Sequence, residues 1–212
     1  MTNRSTGHWQ SYYARTGQRP PRRTLLLALD RFDAELISRE NHLAIDLGCG
    51  NGRDTIEILR RGWLVLAVDQ EPKAIDGLLA RPDLPNSSHL ETLVSRFEDV
   101  PLPSADLIYS GFALPLMPKA VFLEVWPRIL QALNPGGRIS CQLYGEYDSW
   151  FGDATITFFS RKEVKALLAT LEVEMFEVEK INTTTPRGKT KHWHIFHIVG
   201  RRPSGGVRPL LP

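Results

Sequence analysis

One feature constrains this chain more than any other: short, unbroken apolar runs alternate with stretches whose apolar residues return at helical spacing. Leu43-Ala44-Ile45-Asp46-Leu47 is the first such run, and Leu64-Val65-Leu66-Ala67-Val68 is the second. Neither alternates polar with apolar residues, so neither has a face for water. Runs of that kind read as strands covered on both sides. The segment between them predicts a helix from about Arg53 to Arg61, stopped by Gly62. Ahead of the first strand, Leu25, Leu29, Phe32 and Leu36 repeat at helical spacing after Pro21.

The pattern continues. A helix is expected near Pro72 to Leu79, a strand near Thr92 to Ser95 and another over Asp106 to Ser110. Val121, Phe122, Val125, Ile129 and Leu133 fall on one face of the next helix, which Pro127 should bend. Asn134-Pro135-Gly136-Gly137 reads as a turn, with a fifth strand from Arg138 to Leu143. Ser160 and Glu163 have the spacing of a capping box, opening a helix with Val164, Leu167 and Leu168 inward. The last two strands, about Val173 to Ile181 and His192 to Gly200, are joined by too few residues for a helical crossover, so they pair antiparallel. The expected fold is α/β: a doubly wound, mostly parallel seven-stranded sheet with one antiparallel edge strand, between two helical layers.

A chain of 212 residues suits one domain. Residues 1–22, which carry Trp9, Tyr12 and Tyr13, read as an N-terminal arm or docking helix; 23–202 as the domain; and 203–212 as a flexible tail. A net charge of +2 gives no electrostatic reason to expect nucleic acid. Two cysteines without a Cys-x-x-Cys pair, a polar N-terminus and the lack of a bilayer-length apolar run predict a cytoplasmic protein with no membrane partner.

Open α/β sheets bind ligands beyond the carboxyl ends of their strands. Here that place is Asp46-Leu47-Gly48-Cys49-Gly50-Asn51-Gly52, with a second carboxylate, Asp69, ending the next strand. Glycines on alternate positions let the backbone approach a ligand closely. A dinucleotide seats its pyrophosphate on such a turn. Asp46 would then face like charge in a partly dry cleft, and the last glycine of Gly-x-Gly-x-x-Gly is replaced by Arg53. The loop therefore suits a phosphate-free, cationic nucleoside. S-adenosyl-L-methionine, whose demethylated product is S-adenosyl-L-homocysteine, meets that description. Asp69 is placed for the ribose hydroxyls and Asp46 for the ammonium group, though each is also suited to holding the loop.

These residues carry a resemblance. Asp46 to Gly52 looks like the first motif of the class I S-adenosylmethionine-dependent methyltransferases, Val68-Asp69 like their second, and Asn134 to Gly137 like the turn before their fifth strand. Gly50-Asn51-Gly52-Arg53-Asp54 is similar to the small tellurite-resistance-type methyltransferases. The resemblance implies a Rossmann-like domain over about residues 40–200. It implies cofactor contacts from Asp46, Gly48, Cys49, Gly50, Asn51, Gly52, Asp69 and Gln70. It also places Phe97 and Glu98 at the adenine, Ser110 and Phe112 beside the methyl group, and Tyr12 or Tyr13 over the cofactor.

Tyr144, Tyr147 and Trp150 follow the fifth strand as candidates for the acceptor side, or as a plug for the core. The Pro-Pro-aromatic and Pro-Cys signatures of base methylation are missing after Ser110, so a small-molecule acceptor is expected over nucleic acid. No catalytic base stands out, and methyl transfer requires one only where the acceptor must lose a proton. His192, His194 and His197 read as a polar strand rather than a metal site, and Cys49 as a side chain packed under the loop. The competing readings are a non-catalytic S-adenosylmethionine-binding module, a nucleotide-dependent oxidoreductase and an aminopropyl transferase.

Overall fold

A computed structural model describes residues 19–35, 42–184 and 190–205. Leu36, most of the N-terminal arm and most of the tail lie outside the described residues. The chain opens with α1 (Arg23–Ala34), then β1 (Leu43–Leu47), α2 (Thr55–Arg60), β2 (Leu64–Asp69), α3 (Pro72–Leu79) and β3 (Leu90–Val94). There follow β4 (Ala105–Ser110), α4 (Lys119–Ala132), β5 (Leu133–Gly145), β6 (Phe158–Phe159), α5 (Arg161–Leu167), β7 (Glu172–Thr184) and β8 (Thr190–Arg201).

The strands lie in the order β3-β2-β1-β4-β5-β8-β7, with β6 pairing beside the end of β5. β1 to β5 pair in parallel, and β8 runs antiparallel to both β5 and β7. The reversed strand thus sits one place in from the edge, and β7 closes the sheet. Seven strands match the sequence pattern. The eighth, β6, is a two-residue strand, too short to carry a period.

Alternate residues of each strand feed two cores, one per face. Ile45, Ile108, Ile139, Cys141 and Ile198 pack against Phe122, Val125 and Ile129 of α4 and Val164 of α5. On the other face Ala44, Val65, Leu107, Tyr109 and Val199 pack against α1, α2 and α3 through Leu25, Leu29, Ile56, Ile75 and Leu78. Each such large side chain contributes roughly 1.5–3 kcal/mol by leaving water. α4 continues through Pro127, which lies on the helix's exposed side. Ser160 and Glu163 form the expected reciprocal cap: Glu163 N–H donates to Ser160 Oγ (3.3 Å), and Ser160 N–H to Glu163 Oε2 (2.7 Å).

Most boundaries shift by one to three residues, and the start of β5 differs most. β5 begins at Leu133, directly after α4, and Asn134 to Gly137 form an irregularity within the β4–β5 pairing rather than a turn before it. Gly136 N–H donates to Arg202 O and Arg202 N–H to Gly137 O, both at 2.8 Å, which ties this segment to the end of β8. A Cβ on Gly137 would stand 2.8 Å from Asn134 O and 2.9 Å from Asp106 O, so only glycine fits. Among the described residues no helix is long and apolar enough to cross a membrane.

Candidate cofactor and acceptor site

The loop after β1 is shaped by two demands on its backbone. Gly48, Gly50 and Gly52 have φ of 79°, 56° and 83°, which side chains other than glycine rarely tolerate. Space is also short. A Cβ on Gly48 would lie 2.2 Å from Ala113 Cβ and 3.3 Å from Phe97 Cζ, and one on Gly52 would lie 2.2 Å from Leu78 Cδ1. Gly48 N–H and Cys49 N–H both donate to Val68 O, at 2.8 and 3.0 Å, fixing the loop to the end of β2.

Asp69, at that end, is 6% exposed and holds the turn from both sides. Its Oδ2 accepts from Gly50 N–H and its Oδ1 from Glu71 N–H, each at 2.9 Å. A third backbone N–H, that of Gln70, also favours the carboxylate, and a carboxylate has room for about four hydrogen bonds. Burial raises the Asp69 pKa against these three amides. Asp46 lies deeper, and its Oδ2 accepts from Thr55 Oγ at 2.6 Å. Burial pushes its carboxyl up to about 7; the Thr55 hydroxyl works against that rise, and Asp54 and Asp69 add to it. Both carboxylates are therefore costly to ionise without a cation.

Asp54, just before α2, ties the loop to the start of α1. Its Oδ1 accepts from Arg22 N–H (2.9 Å), and its Oδ2 from Tyr109 Oη (2.9 Å) and from the Arg22 guanidinium. The same guanidinium lies 5.3 Å from the Phe112 ring centroid. Sequence reasoning missed Arg22 and Tyr109, because the ion pair joins positions 32 apart and leaves no local signature.

The other candidates divide. Cys49 is buried with its thiol pKa raised well above normal by desolvation, which makes it a packing residue. Asn51 is half-buried, and its carbonyl accepts from Arg81 Nη1 at 3.4 Å. Gln70 is exposed beside Asp69. Phe97 and Glu98 lie in a 3-10 turn, Phe97–Asp99, beyond β3; Phe97 approaches Gly48, and Glu98 Oε1 accepts from Arg96 Nε at 2.6 Å. Ser110 is buried, donating to Leu47 O (2.8 Å) and accepting from Leu114 N–H (3.2 Å), so its hydroxyl braces β4 to β1. Phe112 has φ 63°, in the left-handed region that favours glycine. Tyr12 and Tyr13 lie outside the described residues.

Tyr144, Trp150 and Trp193 gather around Lys191, whose Nζ is 3.6 Å from the Trp150 ring centroid and 3.9 Å from that of Trp193. Lys191 also pairs with Asp148 in the interior. Tyr147 is exposed, stacked on His194 and under Lys180. Tyr144 and Trp150 thus surround a buried ion pair. A cavity of about 640 Å³ opens instead on the α1 side of the sheet, against Phe112, Gln142 and His197, with Arg22 and Arg53 at its loop end.

A doubly wound sheet with this order and a reversed strand beside β5 is the Rossmann-like α/β fold of the class I methyltransferase type. Residues 44–137 match the family model described as a methyltransferase domain, a stretch just under half of the chain. The chain is 28% identical over 102 residues to the trans-aconitate 2-methyltransferase of Rhizobium leguminosarum bv. trifolii, covering 47% of this chain and 38% of that protein. It is 27% identical over 124 residues to the thiopurine S-methyltransferase of Vibrio cholerae serotype O1, covering 52% and 57%. It therefore spans less than two thirds of either relative. TehB from Haemophilus influenzae shares the fold, with a TM-score of 0.68 at 17% identity over 93% of this chain and 66% of that one.

Proposed function

We propose that this chain transfers a methyl group from S-adenosylmethionine to a small-molecule acceptor. One observation carries the reading: a loop of three left-handed glycines, held by Gly48 N–H to the end of β2 and by Gly50 N–H to Asp69, lies beside two carboxylates that burial makes costly to ionise. A cationic ligand relieves that cost, and a pyrophosphate adds to it. The Asp54 carboxylate at the start of α2 is already paired with Arg22, and α2 has only six residues to offer an anion.

The residues present fit the donor. Asp69 takes the ribose hydroxyls. The Gly48–Gly52 loop lies along the amino-acid end, with Asp46 beneath as counter-charge. Phe97 offers a ring to the adenine and Glu98 an acceptor for its amino group. When bound, the sulfonium supplies a methyl carbon already activated for displacement. The protein's part is to hold donor and acceptor in line and keep water out. The names of both curated relatives support a small-molecule acceptor.

Titration calorimetry tests the reading. S-adenosylmethionine and S-adenosylhomocysteine should bind and NAD should not. Asp69→Ala should weaken both about tenfold or more, about 1.4 kcal/mol, with the fold intact by circular dichroism. Tight binding of NAD with neither adenosyl ligand retained would overturn it.

A further inference from the structure

On the α1 face of the sheet, three side chains stand in a row across three strands. Gln142 of β5 and Glu177 of β7 are both in register with His197 of β8, so all three project to one side. Two residues further along β7, Glu179 Oε2 lies 3.0 Å from His197 Nε2. Gln142, Glu177, Glu179 and His197 all line the 640 Å³ cavity. A space of that size accommodates a small organic ligand.

Gln142 gives the strongest sign that something belongs there. Its side chain is 1% exposed, its Nε2 donates to Thr24 Oγ at 2.7 Å, and its Oε1 has no hydrogen-bond partner. An unmet buried polar atom costs roughly 1–3 kcal/mol. A ligand group that bonds this amide removes that cost.

His197 supplies the second half. In the tautomer that gives Nε2–H to Glu179, the lone pair resides on Nδ1, and the carboxylate holds the ring in place. The Phe112 ring stands edge-on to the imidazole, centroids 6.3 Å apart at 86°. Phe112 follows Ser110-Gly111 at the end of β4, and Arg53, another wall residue, directly follows Gly52. The cavity therefore begins where the glycine loop ends. The charged groups facing His197 are Glu177 and Glu179 from β7, Arg22 and Arg23 from the start of α1, and Arg53. Arg23 is paired with Glu177 and Arg22 with Asp54.

We propose that this cavity receives a flat, protic acceptor, a phenol or aromatic thiol, that His197 held by Glu179 takes its proton, and that Gln142 holds a second polar group on the same molecule. The proposal rests on the methyl-transfer reading above. The acceptor's O–H or S–H proton passes to His197 Nδ1, and the freed lone pair bonds the methyl carbon. The electrons of the broken S–C bond stay on the donor sulfur, and His197 later yields its proton to water.

The test combines turnover and spectroscopy on the full chain. Phenols and aromatic thiols, each with a second polar group, are assayed with S-adenosylmethionine beside pyridines and tertiary amines, which lose no proton on methylation. The protic set should turn over. His197→Gln should lower kcat about 100-fold or more and remove the ascending limb of the pH–rate profile. Gln142→Leu should raise KM about tenfold with kcat kept. Neither should change the S-adenosylmethionine Kd. In histidine-labelled protein without donor, 4-nitrophenol should move the His197 Cε1–H resonance toward its imidazolium position, and Glu179→Gln should blunt that shift. Donor binding with turnover confined to aprotic acceptors, with no turnover, or with undiminished turnover in His197→Gln overturns the acceptor assignment alone. Failure to bind the donor overturns both readings together.

Discussion

Asp46→Asn tests the electrostatics under the glycine loop. Its carboxyl is raised from 3.8 to about 7, burial being the largest cause. The sign follows from proton counting. Below about pH 4 the carboxyl is protonated in folded and unfolded chains alike, and it does not alter stability. As pH rises, the unfolded chain loses this proton while the folded chain keeps it, so stability falls until the folded group also ionises near pH 7. Three pKa units at 1.36 kcal/mol each put the whole loss at about 4 kcal/mol. About 3 kcal/mol of it accrues between about pH 5 and pH 8. Asparagine keeps the shape and the bond from Thr55 but cannot ionise. Urea unfolding at both pH values should therefore show wild type losing about 3 kcal/mol more than Asp46→Asn. Asp69 is raised in the same direction, and because the two carboxylates repel each other the difference between the proteins includes their coupling. Parallel pH curves would refute the claim that Asp46 is ionised at a cost. On the same reasoning, S-adenosylmethionine binding near pH 6 should release a proton in wild type, seen as a buffer-dependent enthalpy, and none in Asp46→Asn.

Two further outcomes follow from packing. Gly48→Ala should destabilise by about 2 kcal/mol or more and exceed Gly52→Ala, because Ala113 Cβ is fixed to backbone while Leu78 Cδ1 can swing aside; thermal melts of the two variants check this. Lys191→Met should cost about 3–5 kcal/mol in urea unfolding, since it strands Asp148 in the interior, whereas Asp148→Asn combined with Lys191→Met should recover most of that loss.

What the sequence disclosed has a physical pattern. β1, β2 and β4 were legible because both faces of each are buried, leaving continuous apolar runs. The Ser160–Glu163 cap was legible because its partners are three residues apart. The glycine loop and Asp69 were legible because backbone conformation demands particular residue types. What escaped depends on distant pairings. Gln142 meets Thr24 from 118 positions away, and His197 meets Glu179 only through the register of β7 on β8. A one-residue slip there would turn His197 away from Glu179's face. Lys191 read as one more residue of a polar strand, because nothing nearby in the chain announces Asp148. The Asn134–Gly137 segment looked like a free turn, since its bonds to Arg202 lie at the far end of the domain.

The placement of β8 has a consequence for how the molecule is assembled. Strands β1 to β5 are laid down with their helices in chain order, yet the inner side of β5 from Arg138 to Tyr144 finds its partner only in residues 195–201. Until those residues leave the ribosome, a hydrophobic strand at the heart of the sheet presents a bare row of amides and carbonyls. A chain halted after β7 would expose a sticky seam open to any extended neighbour. The last strand acts as a keystone, and the time between synthesis of β5 and of β8 is when this protein most depends on being kept apart from others.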